Sequence, residues 1–138
     1  MKRFVLDASV ALSWFIDRPT APYADQIRKL LLQGKSGVVP AIWSLEVANG
    51  FLISERRGAT SPYETTEMLQ ELDVVLRSIE VTHGAPSVRR AVDSSRQANL
   101  TAYDAAYLDL AMEQRLSIAT LDRRLSEAAR RIGIPLAH

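Results

Sequence analysis

Short apolar runs alternate along the chain with longer segments whose apolar residues recur every three or four positions. The short runs predict buried strands, and the recurring spacing predicts amphipathic helices that pack against them. The predicted strands are residues 3–6, 38–39, 79–81 and 117–119, with a short edge strand at 133–135. The predicted helices are 8–15, one capped by Thr20 that ends before Gly34, 42–57, one capped by Ser61, one opened by Pro86, 101–115 and 123–132.

This order of elements predicts the architecture. Strands that alternate with helices form a parallel sheet covered on both faces. Within it, the helix opened by Pro86 is expected to turn four residues toward the core, namely Val88, Ala91, Val92 and Ser95. The sequence therefore predicts a single domain over residues 1–138, an α/β fold with a three-layer α/β/α sandwich and a mostly parallel central sheet.

Composition narrows the class of protein. Of the 138 residues, 47% are hydrophobic and 24% are charged, which is ordinary for a soluble globular domain. The net charge of +1 gives no general basic field, so any contact with nucleic acid must come from a local patch. There is no cysteine, which excludes disulfides, thiolate nucleophiles and cysteine-based zinc sites.

The N-terminus has the basic start of a signal peptide, with Lys2 and Arg3 before an apolar run. Asp7 interrupts that run, however, and no apolar stretch approaches the roughly 20 residues that a membrane-spanning helix needs. We therefore expect a soluble cytoplasmic protein with no membrane contact.

Two carboxylates follow predicted buried strands. Asp7 ends the run Phe4-Val5-Leu6, and Asp122 comes shortly after Ile118-Ala119. Sites in parallel sheets gather beyond the carboxyl ends of the strands, so both acids are candidates for such a site. Each acid has a simpler alternative role, because Asp is also a favoured residue at a helix N-cap.

Two further acids fall on predicted helices, among residues that pack. Asp104 fits a capping box with Thr101, yet Tyr107 and Leu108 share its face, which indicates partial burial. Glu46 has Ile42, Asn49, Gly50 and Ile53 as neighbours at helical spacing. Gly50 costs about 1 kcal/mol relative to alanine in mid-helix, and close approach of another backbone would explain it.

Four carboxylates brought together would repel one another, and a bound cation would relieve that repulsion. Ligation by oxygen alone favours a hard ion, so the expected cofactor is Mg²⁺ or Mn²⁺, held by Asp7, Glu46, Asp104 and Asp122. A water on such an ion can be activated to attack a phosphodiester. Polar side chains near these acids are candidates to orient waters or ligands, or else only form turns and caps: Ser9, Asn49 and Thr120.

The chain resembles PIN-domain proteins, and specifically the VapC ribonuclease toxins of toxin–antitoxin modules. The matching pieces run in the family's order: Val5-Leu6-Asp7-Ala8-Ser9, Glu46, Thr101-Ala102-Tyr103-Asp104-Ala105-Ala106-Tyr107-Leu108, and Thr120-Leu121-Asp122-Arg123-Arg124-Leu125. The resemblance implies a Mg²⁺- or Mn²⁺-dependent endoribonuclease that cleaves RNA phosphodiesters, with the four acids as its catalytic site. It further implies a homodimer that a cognate antitoxin inhibits.

Basic residues supply candidate RNA contacts. Arg123 and Arg124 follow Asp122 directly, and the planar guanidinium group suits phosphate, although most such arginine pairs lie only on a solvated helix face.

Two other functions are alternatives to the nuclease. A phospho-acceptor domain of the receiver kind would need a late lysine, but none follows Lys35. The remaining alternative is a non-catalytic PIN-like scaffold that binds RNA or protein.

Overall fold

The computed structural model describes residues 1–138, and its β-strands alternate with α-helices along much of the chain. All four predicted internal strands and all seven predicted helices are present, within a few residues of their expected bounds. The elements are β1 (Arg3–Leu6), α1 (Ala8–Phe15), α2 (Pro22–Leu32), β2 (Ser36–Val39), α3 (Trp43–Arg56), α4 (Pro62–Leu76), β3 (Ile79–Val81), α5 (Val88–Ala98), α6 (Ala102–Gln114), β4 (Ser117–Ala119) and α7 (Arg123–Arg131).

The four strands form one parallel sheet in the order β3-β2-β1-β4. β1 is central, and its Phe4, Val5 and Leu6 are completely buried. The predicted edge strand at 133–135 is wrong: the chain end adds only an isolated parallel bridge between Ile118 and Leu136. All strands point the same way, so their carboxyl ends lie along one edge of the sheet.

The helices form two groups around this sheet. In the first group, α1 packs against α2 and α3, and α3 packs against α4. In the second group, α6 lies on β1 and β4 and also contacts α5 and α7. The predicted three-layer α/β/α sandwich is therefore confirmed, and its layers enclose one continuous hydrophobic core. A single domain over residues 1–138 remains a prediction.

Helix α5 departs from its predicted packing. None of its residues is buried, Val88 is 82% exposed, Val92 is also exposed, and Ala91 and Ser95 are only half-buried. The inward-facing stripe was wrong because α5 packs mainly against α6 at the periphery, where the sheet does not reach it.

Two local expectations also change. Ala21, not Thr20, occupies the N-cap of α2, where Pro22 sets the first turn. Gly50 makes room for a side chain rather than for a backbone, because a Cβ there would lie 2.3 Å from Leu12 Cδ2 on α1.

The Ser61 capping box is present as predicted, with Glu64 as its second member. No helix combines the length and apolarity that crossing a bilayer requires.

Candidate active site

The ends of β1 and β4 are joined side by side at the carboxyl edge of the sheet. Leu6 is paired with Ala119, and the next amide along, Asp7 N–H, donates to Ala119 O at 2.9 Å. This register sets Asp7 beside the segment that runs from Thr120 to Asp122. Two acids that are 115 residues apart in the sequence thus become neighbours through one strand pairing.

Two hydroxyl groups fix the Asp7 carboxylate, and we call this pair, Ser9 and Thr120, the hydroxyl clamp. Ser9 Oγ donates to Asp7 Oδ2 at 2.6 Å, and Thr120 Oγ1 donates to the same oxygen at 2.7 Å. Each hydroxyl also accepts a backbone N–H, Ser9 from Leu121 at 3.0 Å and Thr120 from Asp122 at 2.9 Å. Because both side chains use Oδ2, Asp7 Oδ1 receives no side-chain hydrogen bond.

Of the two acids that follow strands, Asp122 acts as a helix N-cap through its side chain and Asp7 does not. Asp7 occupies the N-cap position of α1, but its side chain makes no capping hydrogen bond. Asp122 does cap α7, since its Oδ1 accepts the Leu125 N–H at 2.9 Å. Capping therefore accounts for one oxygen of Asp122 and for neither oxygen of Asp7.

Asp104 makes only half of its expected capping box. Its backbone N–H donates to Thr101 Oγ1 at 3.2 Å, but the Asp104 carboxylate does not accept the Thr101 backbone N–H, as a full capping box requires. The side chain is half-buried, and burial raises the pKa of Asp104, with further increases from the charges of Asp122 and Asp7. A side-chain hydrogen bond with Thr101 acts in the opposite direction. The carboxylate therefore has one neutral partner and lies close to two other acids.

Glu46, in the first turn of α3, is tied to α6 by a residue that sequence reasoning missed. Tyr107 is fully buried, and its hydroxyl donates to Glu46 Oε1 at 2.5 Å. Burial raises the pKa of Glu46, and the charges of Asp7 and Asp104 raise it further, while the Tyr107 bond acts in the opposite direction. Burial and then the contact with Glu46 raise the pKa of Tyr107 well above its ordinary value. The available signal was a tyrosine on a packed face, since a buried hydroxyl needs a partner.

The four acids act on one another electrostatically and have no basic partner. Burial raises the pKa of Asp7, and the Asp122 charge adds to that increase despite the opposing hydrogen bonds from Ser9 and Thr120. The ion pairs of the structure all involve other acids, namely Glu64, Glu80, Glu113 and Glu127. Half-buried carboxylates without a counter-charge are costly, and a cation is the usual means of compensating them.

The donor chemistry fits a hard divalent cation. All four groups are carboxylates. Glu46 and Asp122 each keep one oxygen with no hydrogen bond from another protein group, and Asp7 Oδ1 receives none from a side chain. No three of the side chains are arranged so that one ion could touch all of them as they stand. Mg²⁺ takes few carboxylates directly and keeps several waters, so such an ion does not require a closed cage.

The remaining predicted residues lie near the acids but do not contact them. Asn49 is exposed and makes no hydrogen bond to an acid, so a water-orienting role for it remains a prediction. Arg123 is exposed and pairs with Glu127 at 3.1 Å. Arg124 is exposed without an ion pair, directly beyond Asp122 at the start of α7.

Burial of the Asp7 charge makes a prediction about stability. Because the pKa of Asp7 is raised above its ordinary value of 3.8, the folded chain holds this proton more tightly than the unfolded chain does. The proton on Asp7 therefore stabilises the fold. This stabilisation is complete below the ordinary pKa and is lost as the pH rises through the pKa of Asp7 in the folded chain. We expect Asp7→Asn to raise the free energy of unfolding of the metal-free protein near neutral pH, measured by urea unfolding in chelator.

The advantage of Asp7→Asn should shrink as the pH falls below about 4, where aspartic acids become largely protonated in either state. Asp73→Asn, which changes an exposed acid of α4, is the matched control and should show no comparable effect. An Asp7→Asn protein that is less stable than wild type near neutral pH would contradict the burial argument.

Comparison with known proteins agrees with this fold. The family model described as PIN domain matches residues 4–131. Ribonuclease VapC3 of Pyrobaculum aerophilum is 28% identical over 125 residues, which is 91% of this chain and 93% of that protein. The crystal structure of PAE2754 from Pyrobaculum aerophilum has a TM-score of 0.69 at 22% identity, covering 91% of this chain and 78% of the other, and supports the fold. Since the family match spans nearly the whole sequence, the chain belongs to the PIN-domain family.

Proposed function

We propose that this protein is a metal-dependent endoribonuclease that cleaves RNA phosphodiesters, and that it is the VapC-type toxin of a toxin–antitoxin pair. The observation that carries the proposal is that four carboxylates without a basic partner lie within electrostatic reach of one another beyond the carboxyl edge of the sheet. They come from the end of β1, from α3, from α6 and from the β4–α7 turn. The similarity to Ribonuclease VapC3 supports RNA as the substrate.

In this proposal Asp7, Glu46, Asp104 and Asp122 hold Mg²⁺ or Mn²⁺. When bound, such an ion polarises the phosphate and lowers the pKa of a bound water. The hydroxyl clamp keeps Asp7 Oδ2 occupied, so that Oδ1 remains available as a ligand. Asp122 uses Oδ1 to cap α7 and offers its other oxygen. Asp104 has only the neutral Thr101 hydroxyl as a hydrogen-bond partner, and its carboxylate would ligate the ion or orient an attacking water.

Arg123 and Arg124 are proposed to bind the RNA backbone near the acids. Both begin α7 immediately after Asp122, and their guanidinium groups are exposed. Phosphates approaching a cluster of carboxylates need positive charge nearby, and arginine offers a planar fork for phosphate oxygens. Arg124 is the stronger candidate because Arg123 already pairs with Glu127.

We also propose a cytoplasmic homodimer that a cognate antitoxin binds. The VapC resemblance supports this assembly, as do exposed apolar side chains beside Glu46. Leu45, Leu52 and Tyr103 line an open groove of about 650 Å³ next to that acid. Apolar surface of this kind suits a protein partner.

The homodimer predicts the mass of two chains in light scattering of the purified protein. The mass of a single chain would contradict it.

The nuclease proposal predicts that Asp104→Asn abolishes cleavage while the fold is retained. We expect the loss to be about 100-fold or more, because a divalent ion supplies several kcal/mol of transition-state stabilisation and each 1.4 kcal/mol corresponds to a factor of ten. The measurement is mapping of cut ends on total RNA, for wild type and variant, with Mg²⁺, with Mn²⁺ and with chelator.

The matched control for this test is Asp73→Asn, which removes an exposed carboxylate of α4 that is not one of the four acids. This variant should cut at the wild-type rate. Circular dichroism of both variants checks the fold. Cleavage that persists in Asp104→Asn or in chelator would contradict the proposal. RNA binding without any cleavage by the wild type would favour the non-catalytic scaffold instead.

The phosphate role of Arg124 is tested by Arg124→Ala in the inactive Asp104→Asn background, where RNA binding can be measured without cleavage. Loss of one phosphate contact to a single strand should reduce the slope of log affinity against log salt by about 0.7. Arg77→Ala is the control, because Arg77 precedes β3 and so lies at the opposite, amino-terminal edge of the sheet. Equal slopes for Arg124→Ala and Arg77→Ala would remove Arg124 from the RNA site.

A further inference from the structure

Tyr107 links the core of the protein to the acid cluster. Its ring lies on α6, one turn after Asp104, and is completely buried. Its hydroxyl donates to Glu46 Oε1 at 2.5 Å, across 61 residues of sequence. The charge of Asp7 also acts on this hydroxyl, so the phenol oxygen lies near two of the four acids.

Glu46 depends on this one contact. No other side chain or backbone group hydrogen-bonds to its carboxylate, and no basic residue pairs with it. The side chain is half-buried, and the nearby negative charges of Asp7 and Asp104 repel it. A glutamate also has several rotatable bonds, so an untethered carboxylate would lose conformational entropy when it bound an ion.

A phenol suits this position for an electrostatic reason. An arginine or lysine would also orient Glu46, but its positive charge would neutralise the acid and compete with a cation. The tyrosine hydroxyl donates a hydrogen bond and adds no charge. It occupies Oε1 and leaves Oε2 without a hydrogen bond from the protein.

We propose that Tyr107 is a positioning residue that holds the Glu46 carboxylate in place for the divalent cation. The inference rests on the proposed metal-dependent function and assigns a role to a residue outside the acid quartet. Groups that hydrogen-bond to metal ligands usually contribute 10- to 100-fold to metal affinity or activity, which sets the expected scale of the effect.

The test is direct Mn²⁺ binding, followed through the paramagnetic resonance signal of the free ion. Tyr107→Phe keeps the buried ring and removes only the hydroxyl, and we expect it to weaken Mn²⁺ binding about 10- to 100-fold. Tyr23→Phe is the matched control, because the Tyr23 hydroxyl also makes one hydrogen bond, to Ala137 O at 2.8 Å, away from the acids. Tyr23→Phe should bind Mn²⁺ as the wild type does.

A double-mutant cycle separates positioning from a general structural role. If Tyr107 acts through Glu46, then Tyr107→Phe should change Mn²⁺ binding less than about twofold once Glu46→Ala is already present. An equal loss in both backgrounds would overturn the proposal, as would wild-type binding by Tyr107→Phe. Should Tyr107→Phe not fold, a crystal structure of the Mn²⁺-bound wild type tests the same role. We expect the hydrogen bond between Tyr107 and Glu46 to be kept, and its loss on Mn²⁺ binding would overturn the proposal.

RNA cleavage by the same proteins keeps this inference distinct from the proposed function. Cleavage by the wild type, with Mn²⁺ binding unchanged in Tyr107→Phe, would overturn the role of Tyr107 alone. If Tyr107→Phe weakens Mn²⁺ binding but the wild type cuts no RNA, the nuclease proposal is overturned and the positioning role of Tyr107 is supported. A wild type that binds no Mn²⁺ would overturn both.

Discussion

Repulsion among buried and half-buried carboxylates is the constraint around which this site is built. Asp7 is only 4% exposed, and it shares the carboxyl edge of the sheet with three other acids that lack basic partners. Burial and mutual repulsion both disfavour the charged forms, so the pKa values of Asp7, Glu46 and Asp104 are raised. A cation would relieve both effects, and the proposed function rests on this.

The fold supplies what holds these charges together. β1 is buried on both faces, and its pairing with β4 fixes the Asp7 backbone beside the Thr120 to Asp122 segment. The hydroxyl clamp then restrains one oxygen of Asp7, the α7 cap restrains one oxygen of Asp122, and Tyr107 restrains one oxygen of Glu46. In each case a neutral donor occupies a single oxygen, so the negative charge is oriented and is not neutralised.

Sequence reasoning reached the parts of the site that local patterns determine. Apolar runs that end in an acid gave β1 and β4, and the rule for parallel strands then placed Asp7 and Asp122 at one edge. Helical spacing identified Glu46 and Asp104 on packed faces. The expected cation joined the four acids into one set, and the PIN-domain resemblance implied the same set. The family is confirmed by the match over residues 4–131, while the roles of the four acids remain proposals.

What sequence reasoning missed depends on contacts between distant segments. Tyr107 could be read as a packed residue, but its partner Glu46 lies 61 residues away on another helix. Apolar residues in α5 could not reveal that this helix lies beside α6 and away from the sheet, which left Val88 and Val92 exposed. Gly50 signalled close packing correctly, but the sequence could not say that the neighbour is the Leu12 side chain.

The most direct test of the account is the position of Mn²⁺ in crystals of the wild-type protein, located by its anomalous scattering. We expect a peak at the carboxyl edge of the sheet, within bonding distance of at least two of the carboxylates of Asp7, Glu46, Asp104 and Asp122. Crystals that hold no ion among these side chains at saturating Mn²⁺, or that hold it only elsewhere on the protein, would contradict it.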